Sequence, residues 1–231
     1  MYGADNPDYK EYYQIGLDLA PDHPLVLAGQ PLRGPNRWPD DDPEFKAALS
    51  AYYTAIGQCG QRFLRAVALS LGVSEAFFAD KYDNPLQRTQ CVYYPPHPQT
   101  SEGELFGVAP HTDYGCVTLL WQDDVGGLEV QDLTGAWVPA PPIPGTLVVN
   151  IGDLLARWSN DRYRSNLHRV TNRSGRERLS IATFYDPDFQ APVDPADLGL
   201  AEGEAAKTAP TTAGDYIHGR ILASQKHNAA S

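Results

Sequence analysis

Between residues 43 and 72 apolar side chains recur every three or four positions: Phe45, Leu49, Tyr52, Tyr53, Ile56, Phe63, Leu64, Val67 and Leu71. That spacing gathers them on one face of a helix. Asp42-Pro43-Glu44 supplies its start: a capping carboxylate, a proline where the missing N–H costs nothing, and an acid in the first turn. Gly72 marks its end. One long amphipathic helix is predicted, followed by a shorter one from Ser74-Glu75 to Asp80. Residues 1–40 lack a sustained period and are read as irregular, with one helical piece over Tyr9–Leu19. From Arg88 onward the pattern changes. Arg88–Tyr94, Val117–Gln122, Leu128–Gln131, Leu147–Ile151, Leu167–Thr171 and Leu179–Tyr185 are short β-branched or aromatic runs bounded by turn residues, which predicts strands. Gly126-Gly127 and Leu133-Thr134-Gly135 read as hairpin turns. Pro139, Pro141, Pro142 and Pro144 make an extended connection that no central strand tolerates. Asp153 reads as the cap of one helix over Leu154–Ser159. After Pro187 the chain turns loop-like, with Ala201–Thr212 exposed and the end frayed from Gln225.

A long helix followed by many short strands predicts an all-β core with flanking helices, a double-stranded β-helix (jelly roll, cupin-like) with the long helix packed outside. The parts are residues 1–84, helical; 85–190, the jelly-roll core; and 191–231, a C-terminal loop and helical tail. No internal repeats are seen.

At 231 residues and 42% hydrophobic, the chain can bury a sizeable core. A net charge of −11 argues against nucleic acid and against anionic membranes as partners. Three scattered cysteines, Cys59, Cys91 and Cys116, suit neither a disulfide framework nor a thiolate zinc site. With no signal-like N-terminus and no span-length apolar stretch, the expected compartment is the cytoplasm; Asn172-Arg173-Ser174 is then an empty glycosylation match.

The candidate chemistry lies in three places. His111 and Asp113 are two apart, so an extended backbone points both to one side. Taken alone, a His-x-Asp is weak evidence among six histidines and 29 acids. His168, on a later strand, can complete a set of two imidazoles and one carboxylate, the ligand type of non-haem iron(II) oxygenases. Arg178 and Ser180 share one strand face and suit a carboxylate; the plainer alternative is a strand arginine paired with a surface acid.

Val92-Tyr93-Tyr94-Pro95-Pro96, His111-Thr112-Asp113, Gly127-Leu128-Glu129-Val130, Val149-Asn150-Ile151-Gly152-Asp153, His168-Arg169-Val170 and Arg178-Leu179-Ser180 occur in this order. Together they resemble the isopenicillin N synthase-like family of Fe(II)- and 2-oxoglutarate-dependent dioxygenases, from about Tyr9 to Asp188. The resemblance implies that His111, Asp113 and His168 hold Fe(II), that Arg178 and Ser180 bind the distal carboxylate of 2-oxoglutarate, and that Tyr94 touches the same cosubstrate. It implies oxidation of a small organic substrate with O2: hydroxylation, desaturation or cyclisation. Val92 stands where many members have Asn, and the family's usual N-terminal segment is not matched. Two other readings stay open: an oxidase that uses no 2-oxoglutarate, and a non-catalytic metal-binding protein. Oligomeric state is not legible.

Phe184 continues the Arg178, Ser180, Ala182 face and is a candidate substrate-pocket wall. His97, in a proline-rich loop, is read as packed or solvated, and His23, His218 and His227 as structural or exposed. Arg157, Arg162, Arg164 and Arg169 are read as structural ion-pair formers.

Overall fold

The computed structural model describes residues 8–96 and 105–230, with side chains of the last helix described as far as 225. Among the described residues, nine strands form the core: β1 (Glu11–Gly16), β2 (Arg88–Tyr94), β3 (Val108–His111), β4 (Val117–Gln122), β5 (Leu128–Gln131), β6 (Trp137–Pro139), β7 (Val148–Ile151), β8 (His168–Val170) and β9 (Arg178–Tyr185). They make a five-stranded sheet in the order β1-β2-β9-β4-β7 and a four-stranded sheet in the order β3-β8-β5-β6. Every ladder in the two sheets is antiparallel. The described α-helices flank them: α1 (Pro24–Leu27), α2 (Pro43–Ser70), α3 (Asp153–Trp158) and α4 (Ala213–Ala230). The short strands β10 (Pro192–Val193) and β11 (Thr211–Thr212) pair near the start of α4.

Val92, Tyr94, Leu120, Leu128 and Val170 form one buried apolar cluster. Its members come from both sheets, so it fills the space between them, as a jelly roll requires. The larger cluster joins α2, α3, β9 and α4 through Leu64, Val67, Trp158, Tyr185 and Ile217; burying such side chains contributes roughly 1.5–3 kcal/mol each. Strand β9 is therefore used on both faces. Arg178 and Ser180 are buried on the inner side, whereas Thr183 and Tyr185 are buried on the opposite one. Helix α2 lies so close that a Cβ on Gly60 would come within 2.5 Å of the Tyr185 ring.

The α2 start follows the expected chemistry: Asp42 Oδ1 accepts from Phe45 N at 2.9 Å. Four expectations are corrected. Tyr9–Leu19 is not helical; it contains β1, because Tyr12, Tyr13 and Ile15 suit the exposed edge of β2 better than an uncapped helix. Ser74–Asp80 forms turns ending in a 3-10 helix at Ala79–Lys81 rather than a short α-helix. The cap of α3 is Gly152, with no side-chain capping bond, and Asp153 is the first helical residue. The tail does not fray at Gln225; α4 continues to Ala230. Among the described residues, no helix is long and apolar enough to cross a membrane.

Candidate metal centre

Strands β3 and β8 pair, and His111 and His168 are register partners. Between Val108 and His111 lie Ala109 and Pro110, where β8 has only Arg169, so β3 carries a bulge. Pro110 has no N–H to offer, and β3 is an edge strand, so the extra residue costs little pairing. The bulge sets His111 beside His168, their ring centroids 4.2 Å apart. β3 ends at His111, so Asp113 reaches the same place from the following loop rather than from a continued strand. Candidate ligand atoms of the three residues all lie within 4.8 Å of one another.

Each imidazole has Nδ1 against a backbone carbonyl, His111 with Ala109 O at 2.8 Å and His168 with Asn166 O at 3.1 Å. Nδ1 then carries the proton, and Nε2 presents a lone pair. The two Nε2 atoms lie 3.8 and 3.6 Å from Asp113 Oδ1. These separations are too long for hydrogen bonds but suit ligand atoms that share one small divalent cation. Asp113 and His168 are buried. No described Lys or Arg pairs with Asp113; its other neighbour is Asn150 Nδ2, at 3.5 Å. A buried carboxylate among neutral groups is costly without a cation, so the donor set fits a metal. Burial holds the His111 pKa down, to about 4, with the neighbouring His168 adding to the effect and Asp113 opposing it. His111 is therefore neutral near pH 7, the form a metal ligand requires.

The ligand loop is held from below and from the side. Asp153 N donates to Asp113 O at 2.7 Å, and Leu154 N to Gly115 O at 3.0 Å. The Asp153 carboxylate, free of capping duty, accepts from Thr112 Oγ1 at 3.1 Å and pairs with Arg220 Nη1 of α4 at 2.6 Å. Arg220 also lies over the Tyr114 ring at 4.6 Å. A Cβ on Gly115 would meet Asp186 Oδ1 at 1.8 Å, because that buried carboxylate occupies the space and accepts from Cys116 N at 2.7 Å.

Tyr94 faces Arg178 and Val92 faces Ser180 across the β2–β9 ladder. Arg178 is fully buried. Its Nε donates to Gly126 O at 2.6 Å and Nη2 to Gln122 Oε1 at 3.1 Å, while its guanidinium lies 4.7 Å from the Tyr94 ring centroid. Nη1 has no partner among the described residues. One cavity of about 80 Å³ is lined by His111, Asp113 and His168 together with Tyr94, Arg178, Ser180 and Phe184. The seven residues read from the sequence as metal, cosubstrate and substrate candidates thus border a single space. A buried arginine whose neighbours are neutral and whose third nitrogen lacks an acceptor fits an incoming carboxylate.

The remaining candidates that are described lie elsewhere. His97 falls outside the described residues. His23 caps α1, its Nδ1 accepting from Leu25 N; His218 is half-buried on α4, and the His227 side chain is outside the description. Arg157 and Arg162 donate to backbone carbonyls, and Arg169 pairs with Glu129 at 2.7 Å. Sequence reasoning missed Asn150, Arg88 and Arg220. Asn150 had a signal, a lone amide inside the apolar run of β7.

A jelly roll enclosing two histidines and a carboxylate is the arrangement of the non-haem iron oxygenases. The profile of the 2OG-Fe(II) oxygenase superfamily matches residues 85–187. The chain is 40% identical to the 2-oxoglutarate-Fe(II) type oxidoreductase hxnY of Emericella nidulans over 220 residues, 92% of this chain and 62% of that protein. It is 34% identical to the homoarginine-6-hydroxylase 2-ODD-C23 of Glycine max, covering 94% of this chain and 67% of the relative. A full-length Neurospora crassa protein, solved in complex with alpha-KG and thymine, superposes with a TM-score of 0.83 at 33% identity over 94% of this chain and 66% of that one. The chain belongs to the 2OG-Fe(II) oxygenase superfamily, whose metal is iron(II) and whose cosubstrate is 2-oxoglutarate. It spans roughly two thirds of the length of these relatives.

Proposed function

We propose that this chain is an Fe(II)- and 2-oxoglutarate-dependent oxygenase that hydroxylates, desaturates or cyclises a small organic molecule. The observation that carries this reading is the convergence of His111, Asp113 and His168 with Arg178 and Ser180 on one cavity. His111, Asp113 and His168 would hold the iron. When bound, the metal supplies the oxidising chemistry, in which O2 and 2-oxoglutarate are consumed, succinate and carbon dioxide are released, and a substrate C–H bond is oxidised.

The chain's own contribution is placement. Arg178 and Ser180 receive the distal carboxylate of 2-oxoglutarate and so fix its pose, with the Tyr94 ring backing the guanidinium. Phe184, which borders both this cavity and a larger one beside it, forms a wall for the substrate. The apolar surfaces of Val92, Leu120 and Leu128 keep bulk water from the reacting groups. Residues 85–190 are the catalytic core in this reading, supported by the family match, and the fungal neighbour solved with thymine supports a small-molecule substrate. Three free cysteines support a reducing compartment, the cytoplasm.

Anaerobic titration with Fe(II) and then 2-oxoglutarate tests the reading without the substrate. A visible charge-transfer band that saturates with 2-oxoglutarate is the expected result. Fe(II) binding with no cosubstrate-dependent band would leave only a metal-binding protein, and absence of Fe(II) binding would overturn the ligand assignment.

A further inference from the structure

A second cavity, of about 260 Å³, opens beside the candidate ligands and is bordered by His111, Asp113, Tyr114, Phe184, Arg88 and Ile221, among others. Arg88 is the residue there that sequence reasoning passed over. It opens β2, and its guanidinium lies 5.2 Å from the Phe184 ring centroid. Its Nη2 pairs with Asp186 at 3.2 Å, whereas its buried Nε has no acceptor among the described residues. The side chain is 17% exposed, so a molecule in the cavity meets the outer edge of the guanidinium and not the buried Nε. Asp186 is fully buried and cancels the arginine's charge. The other described cation on this wall, Lys10, is cancelled by Asp8 at 3.1 Å. The wall therefore offers an N–H donor and two aromatic rings, Phe184 and Tyr114, but no net positive charge.

Resting on the oxygenase reading above, we propose that Arg88 is a specificity-determining residue that selects a neutral, ring-bearing substrate by donating to its carbonyl oxygen beside Phe184. A carboxylate in the same place would lose its hydration without gaining a free counter-charge, which costs it affinity. A hydrocarbon would displace water from the exposed edge of the Arg88 guanidinium without replacing its hydrogen bond.

The test is binding of benzamide, benzoate and toluene to the anaerobic Fe(II)–2-oxoglutarate complex, followed by calorimetry. Benzamide should bind at least about tenfold more tightly than either counterpart. Arg88→Met alone strands the buried Asp186 charge and threatens folding, so the informative variant is Arg88→Met with Asp186→Asn. It should lose that preference while keeping 2-oxoglutarate affinity and its charge-transfer band. Phe184→Leu, with Arg88 intact, should weaken benzamide and toluene together. Preference for benzoate, an unchanged benzamide preference in the double variant, or no benzamide binding overturns the proposal. Loss of the charge-transfer band in the parent protein would instead sink the oxygenase reading beneath it.

Discussion

Arg178→Lys tests the proposed cosubstrate clamp separately from the proposed metal site. The arginine is fully enclosed, spends Nε on Gly126 O and Nη2 on Gln122, and leaves Nη1 without a partner. Lysine keeps the positive charge and most of the volume, but a single ammonium cannot reproduce a rigid fork with two anchored nitrogens and one aimed at a ligand. The substitution removes about one charge-assisted hydrogen bond to the distal carboxylate, about 1.5–3 kcal/mol. This corresponds to a roughly 10- to 150-fold weaker 2-oxoglutarate dissociation constant. The assay is anaerobic titration of the charge-transfer band at saturating Fe(II), with Fe(II) affinity measured separately. Arg178 has no hydrogen bond or ion pair to the His-Asp-His set, so Fe(II) affinity should hold. Unchanged 2-oxoglutarate affinity refutes the clamp, and equal weakening of both ligands refutes its separation from the metal site.

Three further outcomes follow from the site. Asp113→Ala should abolish Fe(II) binding yet leave the metal-free protein as stable as the parent or more so, because it removes a buried, uncompensated carboxylate; chemical denaturation in chelator measures this. Arg220→Met removes the ion pair to Asp153 and the contact over Tyr114, each worth roughly 0.5–1 kcal/mol at part-exposed positions. Fe(II) affinity should fall several-fold and the unfolding midpoint by a few degrees, and an unchanged Fe(II) affinity would show that α4 does not steady the loop that carries Asp113. Finally, His111 has a folded-state pKa near 4, below the ordinary imidazole value of about 6.5. The unfolded chain then binds more protons between these values, so stability of the metal-free protein should drop as pH falls through that window. His111→Asn should flatten the drop, and an identical slope in the variant would contradict the assignment.

The sequence carried most strands of the candidate site well because their side chains are restricted in type. Strand β9 shows both a β-rich run and the Arg178-x-Ser180 alternation, and its bounds differ from expectation by one residue. Strand β3 was invisible because Pro110 and Gly107 mask a four-residue run whose pairing depends on β8. Strand β1 was misread for a related reason: Glu11–Gly16 has no strong local preference, and the edge of β2 decides its conformation. Asp153 illustrates a third limit. Its position before a helix fits a cap, but the close approach of Gly152 to the Gly115 carbonyl puts the glycine there, and Arg220, far along the chain, claims the carboxylate. Arg88 and Arg220 carried no local signal, since their roles arise only once distant elements meet.

The charges inside the barrel give the site its internal logic. Asp113 brings a buried negative charge whose neighbours are imidazoles and an amide, and Arg178 brings a buried positive charge whose partners are a carbonyl and an amide. The two line one cavity without forming an ion pair with each other. Each is costly alone, and neither can relieve the other without dismantling the ladder or loop that holds it. A divalent cation answers the first and a dicarboxylate answers the second. Because both would occupy the same low-dielectric space, each should strengthen the other's binding. Fe(II) and 2-oxoglutarate should therefore bind with positive coupling, Fe(II) affinity rising when 2-oxoglutarate is present by the same factor as the reverse. Independent affinities would mean that the carboxylate bound by Arg178 does not share the metal's cavity.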